Sequence, residues 1–188
     1  MGLKKAGEYI RELHELQDNP FQWPDFLTGL PDRAAVLRKI SDVFEKRGKY
    51  TVALVKISNI QSYIIKYGYS RHSEIIQWAS AILKTTSEKY RGSFVGVLGT
   101  HEFVIISRAE HMEAVLKEAR QLFQKKARSF YSPADLKKKY LFSYQMDGKK
   151  VIVGFMDLIH ATLKDYKGID KREIIPTLTR SVLTHGNI

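Results

Sequence analysis

The segment from Thr51 to Ile57 is a nearly unbroken apolar run, interrupted only by Lys56 near its end. A run of this kind predicts a central β-strand that other elements cover on both faces. One amphipathic helix is predicted to begin at Arg33, with Asp32 in position to cap it. A second is predicted from about Glu74 to Tyr90. The chain is therefore expected to form a sheet with helices packed on it.

The rest of the chain alternates between predicted strands and helices. Phe94 to Leu98 and Phe103 to Ser107 are strand-like and are joined by a short turn, and Asp147-Gly148 marks a second hairpin. Strands are predicted around that second turn, over Tyr140 to Met146 and Lys149 to Met156, and helices from His111 to about Ser129, before Gly168, and from Ile174 to Leu183. The predicted fold class is α/β (α+β), with a central mixed sheet flanked by helices and an N-terminal helix.

The first residues predict an amphipathic helix of about four turns. Leu3, Ala6, Ile10 and Leu13 lie three or four positions apart and form one apolar stripe on it. The stripe has two interpretations: the helix lies on its own domain, or it is a stalk that makes a homodimer with a second copy of the chain. We divide the chain into an N-terminal helix or stalk over residues 1–20 and a domain over residues 21–188.

Composition excludes several classes of protein. The 188 residues include no cysteine, so disulfide frameworks, thiolate metal sites and cysteine nucleophiles are ruled out. No apolar run approaches the roughly 18 residues that span a bilayer, and the charged N-terminus is unlike a secretory signal, so we expect a cytoplasmic protein. The formal net charge of +11 favours anionic partners, among them nucleotides, nucleic acids and acidic protein surfaces.

Four segments, in order, resemble the motifs of GGDEF domains, the diguanylate cyclases that join two GTP molecules into cyclic di-GMP. Asp25 to Arg33 resembles the opening D-x-L-T-G-L-P-N-R motif. The strand Val52 to Ile57 stands in the place of the first metal-bearing strand, Lys66 to Tyr69 resembles D-x-Y-G-H, and Gly99 to Val104 occupies the place of the G-G-D/E-E-F hairpin. The resemblance covers residues 25–107 and implies a fold like that of the nucleotidyl cyclases.

The resemblance also identifies the positions that would carry cyclase chemistry. Such a reaction requires carboxylates that hold divalent cations between the α-phosphate and the attacking ribose hydroxyl. Lys56 stands where the first metal-binding Asp is expected, and Ser58 replaces the second. Ile64 and Ser73 replace the Asn and Asp that read guanine, and an aliphatic side chain cannot pair with the polar edge of that base. Metal binding and base recognition are both expected to be lost.

The hairpin that would close the site differs from the family pattern at two positions. Thr100 replaces the second Gly, and His101 replaces the metal-binding acid. Gly99 and Glu102 keep the pattern. One imidazole and one carboxylate are too few ligands for a metal ion, so no metal and no cofactor is expected here. Lys56 either contacts a phosphate directly or pairs with Glu102 across the hairpin.

The predicted function is that of a catalytically inactive GGDEF-like domain, a signalling or protein-interaction module that binds a protein partner. The alternatives are a receptor for GTP or cyclic di-GMP, or a residual diguanylate cyclase. No catalytic residue is assigned.

A further alternative is a nucleic-acid binder. The segment from Lys117 to Lys150 holds ten Lys and Arg against three acids, and aromatic residues are interleaved with them. The candidate anion-binding residues are Lys125, Lys126, Lys137, Lys138 and Lys139. The other interpretation of this segment is a solvated basic helix face whose aromatic residues point into the core.

Overall fold

A computed structural model of the chain describes residues 2–16, 25–46, 48–145 and 147–185. Its α-helices are α1 (Gly2–Leu16), α2 (Arg33–Phe44), α3 (Ile60–Tyr67), α4 (His72–Ser87), α5 (Ala109–Ala127), α6 (Pro133–Lys138) and α7 (Ile174–His185). Its strands are β1 (Tyr50–Ser58), β2 (Phe94–Gly99), β3 (Glu102–Arg108), β4 (Leu141–Tyr144), β5 (Lys150–Val153) and β6 (Asp157–Leu163). Short 3-10 helices lie at Arg128–Phe130 and Lys171–Glu173.

Four strands form one sheet in the order β2-β3-β1-β6. β1 lies in the interior of this sheet and pairs with β3 on one side and with β6 on the other. This position confirms the central strand predicted from the apolar run. The three strand pairs of the sheet are antiparallel, so the sheet is not of the mixed type expected from the sequence.

Side chains of β1 point alternately into two cores, which is why the strand is apolar at successive positions. Ala53, Val55 and Ile57 belong to the core shared with α1, α3, α4 and α5. Val52 and Leu54 belong to the core shared with α2 and α7. Each of these five side chains is at most 1% exposed. The sheet is thus the middle layer between two layers of helices, which confirms the predicted sheet flanked by helices.

Two helix starts agree with local sequence signals. α2 begins after Asp32, whose Oδ1 accepts a hydrogen bond of 2.8 Å from the Ala35 amide. α7 accommodates Pro176 because this residue lies in the first turn, where backbone amides have no partner within the helix. Among the described residues, no helix is both long enough and apolar enough to cross a membrane.

Other elements differ from the expectation. The sequence predicts a helix before Gly168, and the structure has strand β6 there instead. β6 pairs along its length with β1, so the partner strand decides its conformation rather than a local helical preference. The helices α3 and α6 are not predicted from the sequence, because at 8 and 6 residues they are too short to show a clear helical period.

The helix α1 packs against α4 and α5 through the apolar stripe predicted for it. Ala6 and Leu13 are fully buried, Ile10 is nearly so, and Leu3 is partly buried beside the core. This arrangement agrees with the interpretation in which the helix lies on its own domain. A contact between two copies, and a boundary at residue 20, stay predictions.

β4 and β5 form a separate two-stranded sheet around Asp147-Gly148, which confirms the second predicted hairpin. One face of β4 packs on α3, where the Ser62 hydroxyl donates a hydrogen bond of 3.0 Å to Ser143 Oγ. The opposite face carries Phe142 and Tyr144, and both are exposed. The hairpin therefore presents one buried and one open face.

Candidate functional site

The residues that resemble a cyclase site lie where β1 ends, beside the turn between β2 and β3. Lys56 and Glu102 face each other across β1 and β3. The Lys56 Nζ lies 3.4 Å from Glu102 Oε1, with side-chain exposures of 32% and 28%. An ion pair this accessible contributes at most about 1 kcal/mol to stability. Its consequence for ligand binding is that a positive charge lies beside the Glu102 carboxylate.

Ser58 and Asn59 hold the end of β1 to the chain that leads into β6. Ser58 Oγ donates a hydrogen bond of 3.1 Å to the Asp157 carbonyl oxygen. Asn59 Nδ2 donates one of 3.1 Å to the Phe155 carbonyl oxygen, and Asn59 has a φ of 55°, a left-handed conformation that Asn adopts more readily than most residues. The Ser58 hydroxyl is thus used in a backbone contact between neighbouring strands.

Two histidines meet beside this ion pair. His101 lies in the β2–β3 turn and His72 is the first residue of α4, and their Nε2 atoms are 2.8 Å apart. The rings meet edge to face, with centroids 5.1 Å apart. One Nε2 must carry a proton and donate it while the other accepts, so at least one of the two rings is neutral. The contact joins the turn to the start of α4.

The surroundings of His101 favour its neutral form. Burial lowers the pKa of His101, and His72 and Lys56 lower this pKa further, while Glu102 raises it. The His101 carbonyl oxygen accepts a hydrogen bond of 3.0 Å from the Ile57 amide. The turn is therefore fixed through both its backbone and its imidazole, and the imidazole acts as a neutral hydrogen-bonding group.

The two positions expected to read guanine lie in different environments. Ile64 on α3 is 6% exposed and packs in the core beneath the sheet. Ser73 is the second residue of α4 and is exposed. Ile64 therefore packs in the core, and its assignment to the guanine-reading position stays a prediction.

Gly99 and Thr100 are the remaining positions of the hairpin between β2 and β3. Gly99 ends β2, and Thr100 follows it in the turn with an exposed side chain. Within the described ranges, no group of three or more His, Asp and Glu side chains is placed to hold a metal ion. The site thus holds a paired ammonium group and an imidazole that is hydrogen-bonded to His72, in place of a pair of carboxylates.

One buried carboxylate, which the motifs do not reveal, lies between α3 and α6 with a cluster of hydrogen-bond donors around it. Asp135 accepts hydrogen bonds from Lys66 Nζ at 2.5 Å, from the Tyr67 hydroxyl, and from Ser132 Oγ at 3.0 Å. The Lys66 ammonium, followed by the Tyr67 hydroxyl, lowers the pKa of Asp135 to about 2. The sequence signal for this cluster is Ser132 three residues before Asp135, the spacing of a helix-capping pair.

The candidate anion-binding lysines fall into two groups. Lys125 and Lys126 lie near the end of α5, and residues 137–139 lie at the end of α6. Lys126 Nζ is 4.1 Å from the centroid of the Trp78 ring, and burial lowers the pKa of Lys126. Lys126 is thus engaged with an aromatic ring, and its part in anion binding stays a prediction. Residues 137–139 are exposed.

A cavity of about 770 Å³ lies between α5 and the start of β6, next to Ser58. Its charged walls are Arg120, Lys125, Arg128 and Asp157. The Arg120 Nη2 lies 2.7 Å from Asp157 Oδ2, so part of the basic charge is neutralised inside the cavity. This pairing leaves Lys125 and Arg128 as the cations that face the space.

Several solved structures that are similar to this chain contain GGDEF domains. The FimX GGDEF domain from Pseudomonas aeruginosa matches with a TM-score of 0.58 at 15% identity, over 86% of this chain and 92% of that one. The coiled coil and GGDEF domain of DgcB from Caulobacter crescentus, in complex with c-di-GMP, matches with a TM-score of 0.59 at 16% identity, over 96% of this chain and 89% of that one. The diguanylate cyclase SiaD from Pseudomonas aeruginosa, in complex with its activator SiaC, matches with a TM-score of 0.59 at 14% identity, over 96% of this chain and 64% of that one.

At these identities the similarity shows the fold. The chain has the GGDEF, nucleotidyl-cyclase-like fold that its motifs imply. No protein-family model matches the sequence, and no curated protein matches it.

Proposed function

We propose that this chain is a catalytically inactive GGDEF-like domain that acts in signalling by binding a protein partner. The observation that carries the proposal is the pairing of Lys56 with Glu102. The carboxylate kept in the hairpin lies 3.4 Å from an ammonium group, at the position where the resemblance expects a metal-binding Asp. A fixed ammonium repels Mg²⁺ and offers it no oxygen ligand.

Cyclic di-GMP synthesis depends on what a divalent cation does at the α-phosphate. A bound cation would neutralise charge at the phosphate and would activate the attacking hydroxyl, and carboxylates would have to hold it. Lys56 can neutralise charge but cannot activate the hydroxyl in this way. The Ser58 hydroxyl donates a hydrogen bond to a backbone carbonyl, and His101 is hydrogen-bonded to His72. These contacts support a site whose side chains pair with one another instead of binding a metal ion.

A fold of this kind can bind a protein partner even when its cyclase site has no metal-binding carboxylates. SiaD is bound to its activator SiaC in one of the structures compared above, and DgcB is bound to c-di-GMP in another. We extend the first kind of contact to this chain, since its net charge of +11 attracts an acidic protein surface. A second copy of the chain is another candidate partner, and a nucleotide is the alternative.

The first test is an assay for product. Purified protein with GTP and either Mg²⁺ or Mn²⁺ is expected to form no cyclic di-GMP, measured by chromatography and mass spectrometry. The variant Lys56→Asp, His101→Asp is expected to stay inactive as well, because Ile64 and Ser73 leave guanine unread. Product that forms with the wild type and is lost in Glu102→Ala would contradict the proposal.

The second test separates a nucleotide receptor from a protein-binding module. Calorimetric titration with GTP and with cyclic di-GMP, each with and without Mg²⁺, is expected to give no heat of binding. Lys46→Ala is the matched control for Lys56→Ala, since Lys46 is exposed after α2. Saturable binding that Lys56→Ala weakens and Lys46→Ala preserves would establish the receptor alternative instead.

A further inference from the structure

The hairpin of β4 and β5 has an open face that is largely apolar. Phe142, Tyr144 and Ile152 are 38%, 57% and 64% exposed. The register pairs Phe142 with Ile152 across the two strands. It also pairs Tyr144 with Lys150, so the four side chains share one face. Lys150 Nζ lies 3.7 Å from the centroid of the Phe142 ring.

Three aromatic rings follow one another along this face. Phe142 and Tyr144 are alternate residues of β4, so their side chains point the same way at a spacing of about 6.8 Å, and Tyr140 directly precedes the strand. The rings of Tyr140 and Phe142 meet edge to face, with centroids 5.3 Å apart. The rings therefore form a row along β4 rather than a compact apolar plug.

Exposed lysines surround the row. Residues 137–139 are three lysines that directly precede Tyr140, and Lys149 and Lys150 lie across the hairpin. Lys149 pairs with Asp147 at 3.0 Å. The other four lysines take part in no ion pair within the described part of the chain. The face thus combines exposed aromatic area with four lysines that no carboxylate in the described part of the chain neutralises.

We propose that this face, made of Tyr140, Phe142, Tyr144 and Ile152 with the five lysines around them and called here the hairpin platform, binds single-stranded nucleic acid. Rings in a row offer stacking surfaces to successive bases, and lysines beside them neutralise the phosphates. Stacking tolerates any base, so the platform binds with little sequence preference. The inference goes beyond the proposed function and does not depend on the state of the Lys56 site.

The placement of the apolar side chains favours a nucleic acid over an anionic membrane. Insertion of the hairpin tip into a membrane is disfavoured, because Asp147 and Lys149 lie in the turn and form an ion pair. The lysines alone would be enough to bind an acidic protein surface. The exposed rings of Phe142 and Tyr144 add a surface on which bases can stack, and recognition of an acidic protein surface does not need it.

The stacking test removes the rings and keeps their apolar area. Fluorescence anisotropy of the full chain with a labelled oligothymidine of about 15 nucleotides is expected to show binding, with a duplex of equal length binding more weakly. Phe142→Leu with Tyr144→Leu should lower the affinity by about fivefold or more, because stacking on one ring accounts for about 5- to 150-fold. The control Phe142→Tyr with Tyr144→Phe keeps both rings and should bind like the wild type.

The charge test uses the salt dependence of binding. Replacing residues 137–139 with Gln should reduce the slope of log affinity against log salt by about 2, since each phosphate contact on a single strand contributes about 0.7. The matched control replaces Arg38, Lys46 and Lys49 with Gln. These three are exposed in or after α2, in the opposite helix layer. The control should keep the wild-type slope, although it lowers the net charge equally.

Three results would each overturn the inference: no binding at low salt, equal binding of duplex and single strand, or an unchanged affinity in the Leu variant. Vesicles that contain phosphatidylserine form a parallel arm. Vesicle binding that survives in the Leu variant, without oligonucleotide binding, would make the hairpin a membrane-contacting surface and the inference wrong. Thermal melting by circular dichroism checks that every variant is folded.

Discussion

Asp135 is the only charged residue that is buried in the described part of the chain, and its hydrogen-bond donors explain how it tolerates burial. Lys66, Tyr67 and Ser132 all donate to its carboxylate. These bonds stabilise the ionised form, which is the cause of its lowered pKa. Because they join α3 to α6, they also fix the point from which the chain enters β4.

Removing this carboxylate should weaken the fold measurably. Asp135→Ala is expected to lower the free energy of unfolding by about 1.5–3 kcal/mol, since charged and hydroxyl donors lose a buried acceptor. The control Glu88→Ala removes an exposed carboxylate that pairs with Lys84 on α4, and should cost at most about 0.5 kcal/mol. Urea denaturation measures both. Equal losses in the two variants would show that the buried cluster stabilises no more than a surface pair.

At the residue scale, sequence reasoning succeeds where strand register decides the contact. Lys56 lies near the end of β1 and Glu102 begins β3, the strand that pairs with β1, so their contact follows from the register of these two strands. The contact of His72 with His101 joins a turn to a helix start that are far apart in sequence, and no local pattern predicts it. The burial of Ile64 is not predicted from the sequence, because α3 is too short for its buried side to be read from periodicity.

At the element scale, local signals predict helices that carry caps and strands that carry their own apolar pattern. Asp32 is such a signal for α2, and the run from Thr51 to Ile57 is one for β1. β6 carries neither signal: its residues alternate in burial only loosely, and it becomes a strand because it completes the sheet beside β1. Elements formed by long-range pairing are therefore the ones that the sequence leaves open.

The helix α1 contributes its apolar stripe to the core of its own domain. Leu13 is fully buried, so Leu13→Ala is expected to lower the free energy of unfolding by about 2–5 kcal/mol. Lys5→Ala is the control on the exposed side of the same helix, with an effect within about 0.5 kcal/mol. Denaturation and light scattering are measured on each variant. A halved solution mass with unchanged stability in Leu13→Ala would assign the stripe to a contact between two copies instead.

At the scale of the whole molecule, two histidines couple folding to pH. Burial lowers the pKa of His101 and of His160, and Arg120 lowers that of His160 further. The unfolded chain therefore takes up these protons at a higher pH than the folded chain does. The stability that they contribute is complete above the ordinary His pKa of about 6.5 and is lost as the pH falls through it toward the lower folded values.

The free energy of unfolding is accordingly expected to decrease between about pH 7 and pH 5, a range above most carboxylate titrations. Urea titrations at several pH values measure it. The variant His101→Gln, His160→Gln should show a smaller decrease over the same range. A wild-type profile that is flat there, or a variant with the same slope as the wild type, would contradict the assignment.

The ion pair of Lys56 and Glu102 also limits how this sequence can change. Lys56→Asp alone would set two carboxylates opposite each other on neighbouring strands, where like charges destabilise a sheet. Changing Glu102 alone would remove the acid that a cation site needs. Each single step toward such a site therefore begins with a less stable or a less complete protein. Each of the two side chains thus supplies the partner of the other, and a change at either one removes the ion pair.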